Sequence, residues 1–207
     1  MVVFDVGANI GDYATLVHET FDGRADIHCF EPSAATFDRL QERCSTIARV
    51  NRFGLSDMQG RMTLYTNDDR SGLSSLYDRK LDHIDLKLAP SETVALRTVD
   101  DYCRDEKIVR IDLLKMDVEG HELAVLKGAR ALLDRDAIDC IQFEFGGCNI
   151  DSRTYFRDFC DVLQPRFRIY RILANGLWPI AHYAETLETF ATTNYLAVRQ
   201  GMLNDAL

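Results

Sequence analysis

The sequence predicts an α/β fold, an open, doubly wound, mostly parallel sheet of about seven strands with helices on both faces. Three observations predict it. The first fifty residues alternate short apolar runs with stretches of helical periodicity, as βαβ units do. Several apolar runs end in glycine or acidic residues, as buried parallel strands do at their carboxyl ends. Finally, 207 residues with 46% hydrophobic and 28% charged side chains suit one packed core.

The elements follow in order. Val2-Val3-Phe4-Asp5-Val6 is an apolar run closed by Gly7, a buried strand. Tyr13 to Phe21 is helical. Ile27 to Phe30 is a second strand, closed by Glu31-Pro32. Ser33 is placed to N-cap a helix whose Phe37, Leu40 and Cys44 share one face. A third strand spans Ala48 to Leu55, and Arg61 to Thr66 is a further β segment after the turn at Gly60. Residues 67–90 are irregular and polar, with Ser71-Gly72-Leu73-Ser74-Ser75 near one end. A long irregular stretch inside a compact domain reads as a binding loop or lid. Val94 to Val99 is a strand, Asp100 to Arg104 a helical turn, Ile111 to Val118 a buried strand, and His121 to Leu133 a helix. Ile138 to Phe145 is a strand, Tyr155 to Leu163 a helix, and Arg168 to Leu173 and Phe190 to Val198 the closing strands. The whole of 1–207 is expected to form one domain.

Composition excludes several classes. With 24 Lys and Arg against 33 Asp and Glu, the chain carries −9, which disfavours nucleic acid as a partner. No apolar run approaches the ~18 residues of a membrane span, and no basic segment precedes the first apolar run, as a signal peptide requires. The six cysteines (Cys29, Cys44, Cys103, Cys140, Cys148 and Cys160) form no C-x-x-C and read as small packing residues in a reducing, cytoplasmic setting. His18, His28, His83 and His182 show no partner pattern. Nothing in the sequence fixes the oligomeric state.

The loop after the first strand reads Asp5-Val6-Gly7-Ala8-Asn9-Ile10-Gly11. In doubly wound sheets the ligand lies beyond the strand ends, and a helix N-terminus there favours an anionic group. The spacing departs from G-x-G-x-x-G, with Asn9 where a glycine belongs. Asp5 would repel a pyrophosphate and attract an α-ammonium. The pattern therefore suits S-adenosylmethionine better than NAD, although Asp5 could instead cap local N–H groups. Glu31 follows Gly11 by 20 residues, where such domains place a carboxylate on ribose hydroxyls. Pro32 fixes the exit of that strand. At Leu55-Ser56-Asp57, Asp57 could accept from the adenine amine, or the pair could be an ordinary Ser-Asp turn.

Two longer strings carry a resemblance. Phe4 to Tyr13 (FDVGANIGDY) and Leu114 to Leu123 (LKMDVEGHEL), continuing to Leu126-Lys127-Gly128-Ala129, resemble the two hallmark segments of the FkbM-family methyltransferases. Glu31-Pro32, Leu55-Ser56-Asp57, Arg97 to Tyr102 and Asn194 to Val198 match as well, so the resemblance spans nearly the whole chain. It implies a class I methyltransferase (Rossmann-like) fold, S-adenosylmethionine as methyl donor, and O-methylation of a small-molecule, sugar or glycan hydroxyl. Many relatives carry sequence ahead of the first strand that helps cover the cofactor, so this chain reads as a trimmed or compact version. Asp5, Gly7, Ala8, Asn9, Gly11, Glu31, Pro32, Ser56 and Asp57 are then the expected cofactor residues.

Asp117, Glu119 and His121 alternate along the exit of the Ile111 to Val118 strand, facing the same crevice. They are the expected catalytic residues. His121 is the first choice as base, because an unperturbed imidazole titrates near pH 6.5. Asp117 or Glu119 would orient it or hold the acceptor hydroxyl. A structural role for His121 at the helix start is the plain alternative, and a divalent metal held by the three residues a less favoured one. Glu144, between Phe143 and Phe145, is expected to meet the acceptor or to be a satisfied structural glutamate. Trp178-Pro179 lies in an acceptor pocket or on an edge. The rival functions are a non-catalytic cofactor-binding module and an NAD-dependent oxidoreductase.

Overall fold

A computed structural model describes residues 1–67 and 72–202. The expected doubly wound α/β architecture is present. The elements are β1 (Val2–Val6), α1 (Asp12–Thr20), β2 (Asp26–Phe30), α2 (Ala34–Cys44), β3 (Arg49–Asn51), β4 (Gly54–Leu55), β5 (Gly60–Thr66), β6 (Ala89–Arg97), α3 (Val99–Asp105), β7 (Ile111–Met116), α4 (Glu122–Lys127), α5 (Arg130–Asp134), β8 (Ile138–Phe145), α6 (Cys148–Ser152), α7 (Phe156–Leu163), β9 (Phe167–Leu173), β10 (Gly176–Ile180) and β11 (Thr193–Arg199). The large sheet runs β10-β9-β11-β8-β7-β1-β2-β3. β3, β2, β1, β7 and β8 are parallel neighbours, whereas β11 runs antiparallel to both β8 and β9. The strand order reverses between β1 and β7, so the ends of those two strands open the crevice.

Alternation along the strands sends side chains to two cores. Phe4 and Val6 of β1 join the larger core with Leu114, Ile141, Phe143 and Phe159. Val3 joins the smaller one with Ala14, Val17, Ile27 and Leu40, under α1 and α2. All six cysteines are free, and five are buried, in keeping with packing roles. His28, which showed no partner pattern in sequence, is buried, with Nδ1 2.8 Å from the Tyr102 hydroxyl and Nε2 3.4 Å from Asp26.

The elements differ from expectation at six places, the plainest being the short helix α6, which the sequence does not signal. The Ala48 to Leu55 strand is two strands in different sheets: β3 pairs with β2, whereas β4 pairs with β6 in a separate sheet ordered β4-β6-β5. β6 begins earlier than expected, taking Ala89 and Pro90 from the irregular stretch. Ser33 occupies the N-cap position of α2, but its side chain makes no capping bond. The Ala34 N–H is instead taken by Glu92 Oε1 at 2.9 Å, so a distant strand caps the helix. The His121 to Leu133 helix breaks into α4 and α5 at Gly128, where the Ser56 carbonyl approaches so closely that a Cβ would collide with it. Lastly, β10 is an unexpected eighth strand at the edge of the large sheet; it carries Pro179 and the 65%-exposed Trp178, which settles these two as edge residues.

Candidate active site

The turn after β1 is shaped by what it touches. Gly7 has φ +77, and a Cβ there would run into the Asp117 carbonyl oxygen, so only glycine lets β1 and β7 exit this close together. The Gly7 and Ala8 N–H groups both donate to the Phe30 carbonyl, at 3.0 and 3.1 Å. Asn9 follows with φ 48, and its N–H donates to Glu31 Oε2 at 3.1 Å. Glu31 Oε1 accepts the Ser33 N–H at 2.9 Å. Glu31 therefore ties the Asn9 end of the turn to the start of α2. Burial pushes its carboxyl up to about 7, against the two N–H bonds that favour the charged form.

A cavity lies against this turn, lined by Gly7, Asn9, Glu31, Pro32, Leu55 and His121 and by Leu64 and Leu76. A second recess shares Gly7, Asn9 and Asp117 with it and continues past Ala8 to Tyr13 and Lys115. Gly11, with φ +87, starts α1 behind the turn. Asp5 lines neither space. It is fully buried on the smaller-core side of β1, and its Oδ1 accepts from Lys115 Nζ at 2.9 Å. Its cross-strand partner is Lys115, which sequence reasoning passed over. Burial works against the Lys115 ammonium, but Asp5 and Asp117 outweigh it and hold the pKa above its ordinary value.

The residues after β7 form a strained acidic loop. Glu119 has φ 52 and Gly120 φ 103. The fully buried Glu122 holds this shape by accepting the Val118 N–H at 2.9 Å and the Gly120 N–H at 3.1 Å. Its carboxyl is pushed up to about 8 by burial. The loop and the end of β8 bring Asp117, Glu119 and Glu144 together, with one carboxylate oxygen of each within 4.8 Å of the others. Glu144 faces Asp117 and Glu119, and its carboxyl is raised to about 7 by burial and by their charges. Arg79 reaches into this cluster to pair with Glu119 and stands 3.9 Å from Asp151.

His121 lies apart from the three carboxylates. It is 4% exposed, with Nε2 2.9 Å from Ser56 Oγ and Nδ1 2.9 Å from the Tyr77 hydroxyl. Burial lowers its pKa to about 4. Both ring nitrogens are engaged, and Glu144 rather than His121 completes the acidic trio. The site therefore joins Gly7, Asn9, Glu31 and Pro32 at one cavity and Asp117, Glu119 and Glu144 at its far side, while Ser56 sits behind His121 and Asp57 is exposed. Sequence reasoning missed Tyr77, Arg79, Lys115 and Glu122. Lys115 was within reach, because it alternates with Asp117 along one strand.

The Methyltransferase FkbM domain model matches residues 5–171. The chain belongs to the FkbM methyltransferase family. Among curated relatives it is 30% identical over 132 residues to the hexuronic acid methyltransferase AglP of Haloferax volcanii, covering 61% of this chain and 49% of that protein. It is 28% identical over 145 residues to the 2-O-methyltransferase NoeI of Sinorhizobium fredii, covering 65% and 59%. It is 33% identical over 156 residues to the 31-O-demethyl-FK506 methyltransferase FkbM of Streptomyces tacrolimicus, covering 61% and 58%. The chain thus spans about half to three-fifths of the length of these relatives. The plantazolicin methyltransferase BpumL, solved with SAH, superposes with a TM-score of 0.50 at 8% identity, covering 97% of this chain and 76% of that one, a likeness of fold. Among the described residues no helix is long and apolar enough to cross a membrane.

Proposed function

We propose that this FkbM-family protein is an S-adenosylmethionine-dependent O-methyltransferase acting on a hydroxyl of a small molecule or sugar. The observation that carries this reading is the adjacency of two unlike spaces across Gly7 and Asp117: a mostly apolar cavity edged by Glu31, and a trio of carboxylates. The residues fit the donor. Glu31 is buried at the cavity wall, and each of its oxygens accepts one backbone N–H, leaving lone pairs for two ribose hydroxyls. Pro32, Leu55, Leu64 and Leu76 suit the faces of a purine. The second recess, with Ala8, Asn9 and Lys115, suits an amino-acid tail.

When bound, S-adenosylmethionine supplies an electrophilic methyl on a sulfonium. The protein's task is to hold the acceptor oxygen in line and remove its proton as the carbon–oxygen bond forms. Asp117 and Glu144 are the groups placed for this. Asp117 is half-exposed and can accept from the incoming hydroxyl, and Glu144, with a pKa near the working pH, takes the proton. Glu144 is a better-placed base than His121, whose nitrogens are already committed. Glu119, anchored by Arg79, borders the acceptor. The three carboxylates could also hold a divalent cation, although Arg79 already neutralises Glu119. Chain 1–207 acts as one domain in this reading, with residues 72–88 as the cover: Ser75 donates to the Glu119 carbonyl at 2.8 Å, Tyr77 meets His121, and Arg79 meets Glu119. Residues 68–71 of the expected lid, including Ser71, lie outside the described residues.

The test is calorimetric titration with S-adenosylhomocysteine and with NAD, followed by radiolabelled methyl transfer to a panel of sugars and hydroxylated metabolites, with chelator and with magnesium. Binding of the homocysteine nucleoside and transfer to a hydroxyl would support the reading. Binding of NAD alone would overturn it, and tight donor binding without transfer across the panel would favour a cofactor-binding module.

A further inference from the structure

Arg79 differs from its neighbours on the cover. The Asp78 and Lys80 side chains are 55% and 70% exposed, whereas that of Arg79 is 8% exposed. A guanidinium is buried only where anions meet it. Arg79 pairs with Glu119, and its buried Nε, which has no hydrogen-bond partner among the described residues, stands 3.9 Å from Asp151. Two further ties join this part of the cover to the loop after β7. Ser75 Oγ donates to the Glu119 carbonyl at 2.8 Å, and the Tyr77 hydroxyl is 2.9 Å from His121 Nδ1. Ser75, Tyr77 and Arg79 are alternate residues, and all three meet the same loop.

That loop needs cations. Asp117, Glu119 and Glu144 each bring a carboxylate oxygen within 4.8 Å of the others, and like charges so close oppose one another. Two cations answer from different elements. Lys115 comes from β7 and stands 3.7 Å from Asp117, but its ammonium is held at 2.9 Å by Asp5. Arg79 comes from the cover. Burial works against charge on Glu119 and on Glu144, and Arg79 is the cation that opposes it at both. A divalent ion would draw oxygens of these carboxylates to about 2.0–2.6 Å. With the guanidinium engaged on Glu119, such an ion would meet a like charge at its own ligand.

We propose that Arg79 is the resident cation of the three carboxylates: a positioning residue, carried by the cover, that holds Glu119 and takes the place a divalent ion would otherwise fill. The acceptor site is then complete without a metal, and complete only with the cover in place. The proposal rests on the reading of Asp117 and Glu144 as the groups that receive the acceptor hydroxyl.

The experiment titrates Mn²⁺ alone, read by electron paramagnetic resonance, into the wild-type chain, Arg79→Met and Arg79→Lys, and measures methyl transfer in chelator and in magnesium. The wild type and Arg79→Lys are expected to bind Mn²⁺ weakly. Arg79→Met is expected to bind it at least about tenfold more tightly, because three carboxylates are then free to ligate. Adding Glu119→Gln to Arg79→Met is expected to abolish that gain. Wild-type transfer is expected to be the same in chelator and in magnesium. Arg79→Met is expected to lose kcat on the order of tenfold in chelator and to regain most of it in magnesium. Arg79→Lys is expected to fall less and to gain nothing from magnesium. Wild-type transfer that stops in chelator and returns with magnesium would overturn the proposal, as would an Arg79→Met that gains no Mn²⁺ affinity. Should Arg79→Met fail to fold, tight Mn²⁺ binding by the wild type or Arg79→Lys overturns the proposal, and weak binding with chelator-insensitive transfer supports it. The Mn²⁺ titration needs no acceptor, so it reads Arg79 even where no methyl transfer is found and the reading of the reaction fails.

Discussion

Glu31 and Glu144 stand at opposite ends of one crevice, and burial drives both carboxyls to about 7. Their surroundings then diverge. Glu31 is met by the N–H groups of Asn9 and Ser33, which hold it in place and favour its charge. Glu144 is met by Asp117 and Glu119, which resist its charge and favour a proton. A buried carboxyl surrounded by fixed donors is suited to gripping hydroxyls that stay intact, whereas one surrounded by like charge is suited to taking a proton and giving it up.

Substituting the two residues should separate these roles. Glu144→Gln is expected to lower kcat by roughly 100-fold or more, the lower range of general-base contributions, with S-adenosylhomocysteine affinity little changed; an unaltered kcat would remove Glu144 from the chemistry. Glu31→Gln is expected to do the reverse. Its amide would set an N–H against the Asn9 or Ser33 N–H, and donor affinity should fall roughly 10- to 100-fold by calorimetry.

The pH dependence sharpens the contrast. If Glu144 must be ionised, kcat should rise up to about pH 7 and level off above it, falling about tenfold per unit on the acid side. A profile unchanged in Glu144→Gln would assign that limb to another group.

Stability should move in the opposite direction. Glu31, Glu122 and Glu144 all have folded pKa values raised above 4.5, to about 7, 8 and 7. The folded state therefore binds more protons than the unfolded one between about pH 4.5 and 8, and stability falls as pH rises through that window. The buried histidines His28 and His121, whose pKa values are lowered, oppose this slope while their unfolded imidazoles lose protons around pH 6.5, and contribute little above about pH 7.5. The ligand-free protein is expected to lose on the order of a few kcal/mol between pH 6.5 and 8.5, read as a Tm lower by several degrees. A flat Tm over that range would mean that these carboxyls are better solvated than their burial implies.

Much of this crevice was legible in the sequence because it lies at the ends of strands. Apolar runs stop where side chains must meet a ligand, so Gly7, Glu31, Asp117 and Glu144 announce themselves by position. The fold class followed from the same alternation. The pieces that escaped depend on contacts across the chain. Phe53 gives no local sign that the backbone leaves one sheet for another between Asn51 and Gly54. The Gly128 break depends on a carbonyl 72 residues away. Tyr77 and Arg79 lie in a stretch without periodicity, and both meet partners at least 40 residues distant. His121 looked like a base because its residue type and spacing were right, and only the neighbouring Tyr77 and Ser56 reveal that its nitrogens are spoken for.

The seat of Ser56 against Gly128 has a consequence for how the crevice keeps its width. The cavity straddles two sheets, and the covalent link between them, from β3 to β4, is only two residues long. With the Ser56 carbonyl lodged in the break between α4 and α5, the small sheet is keyed to the large one as a tongue is to a groove. A single methyl group added at position 128 would lift the tongue. Gly128→Ala is thus expected to weaken donor binding although residue 128 lies outside the cavity wall, an action at a distance made of nothing but volume.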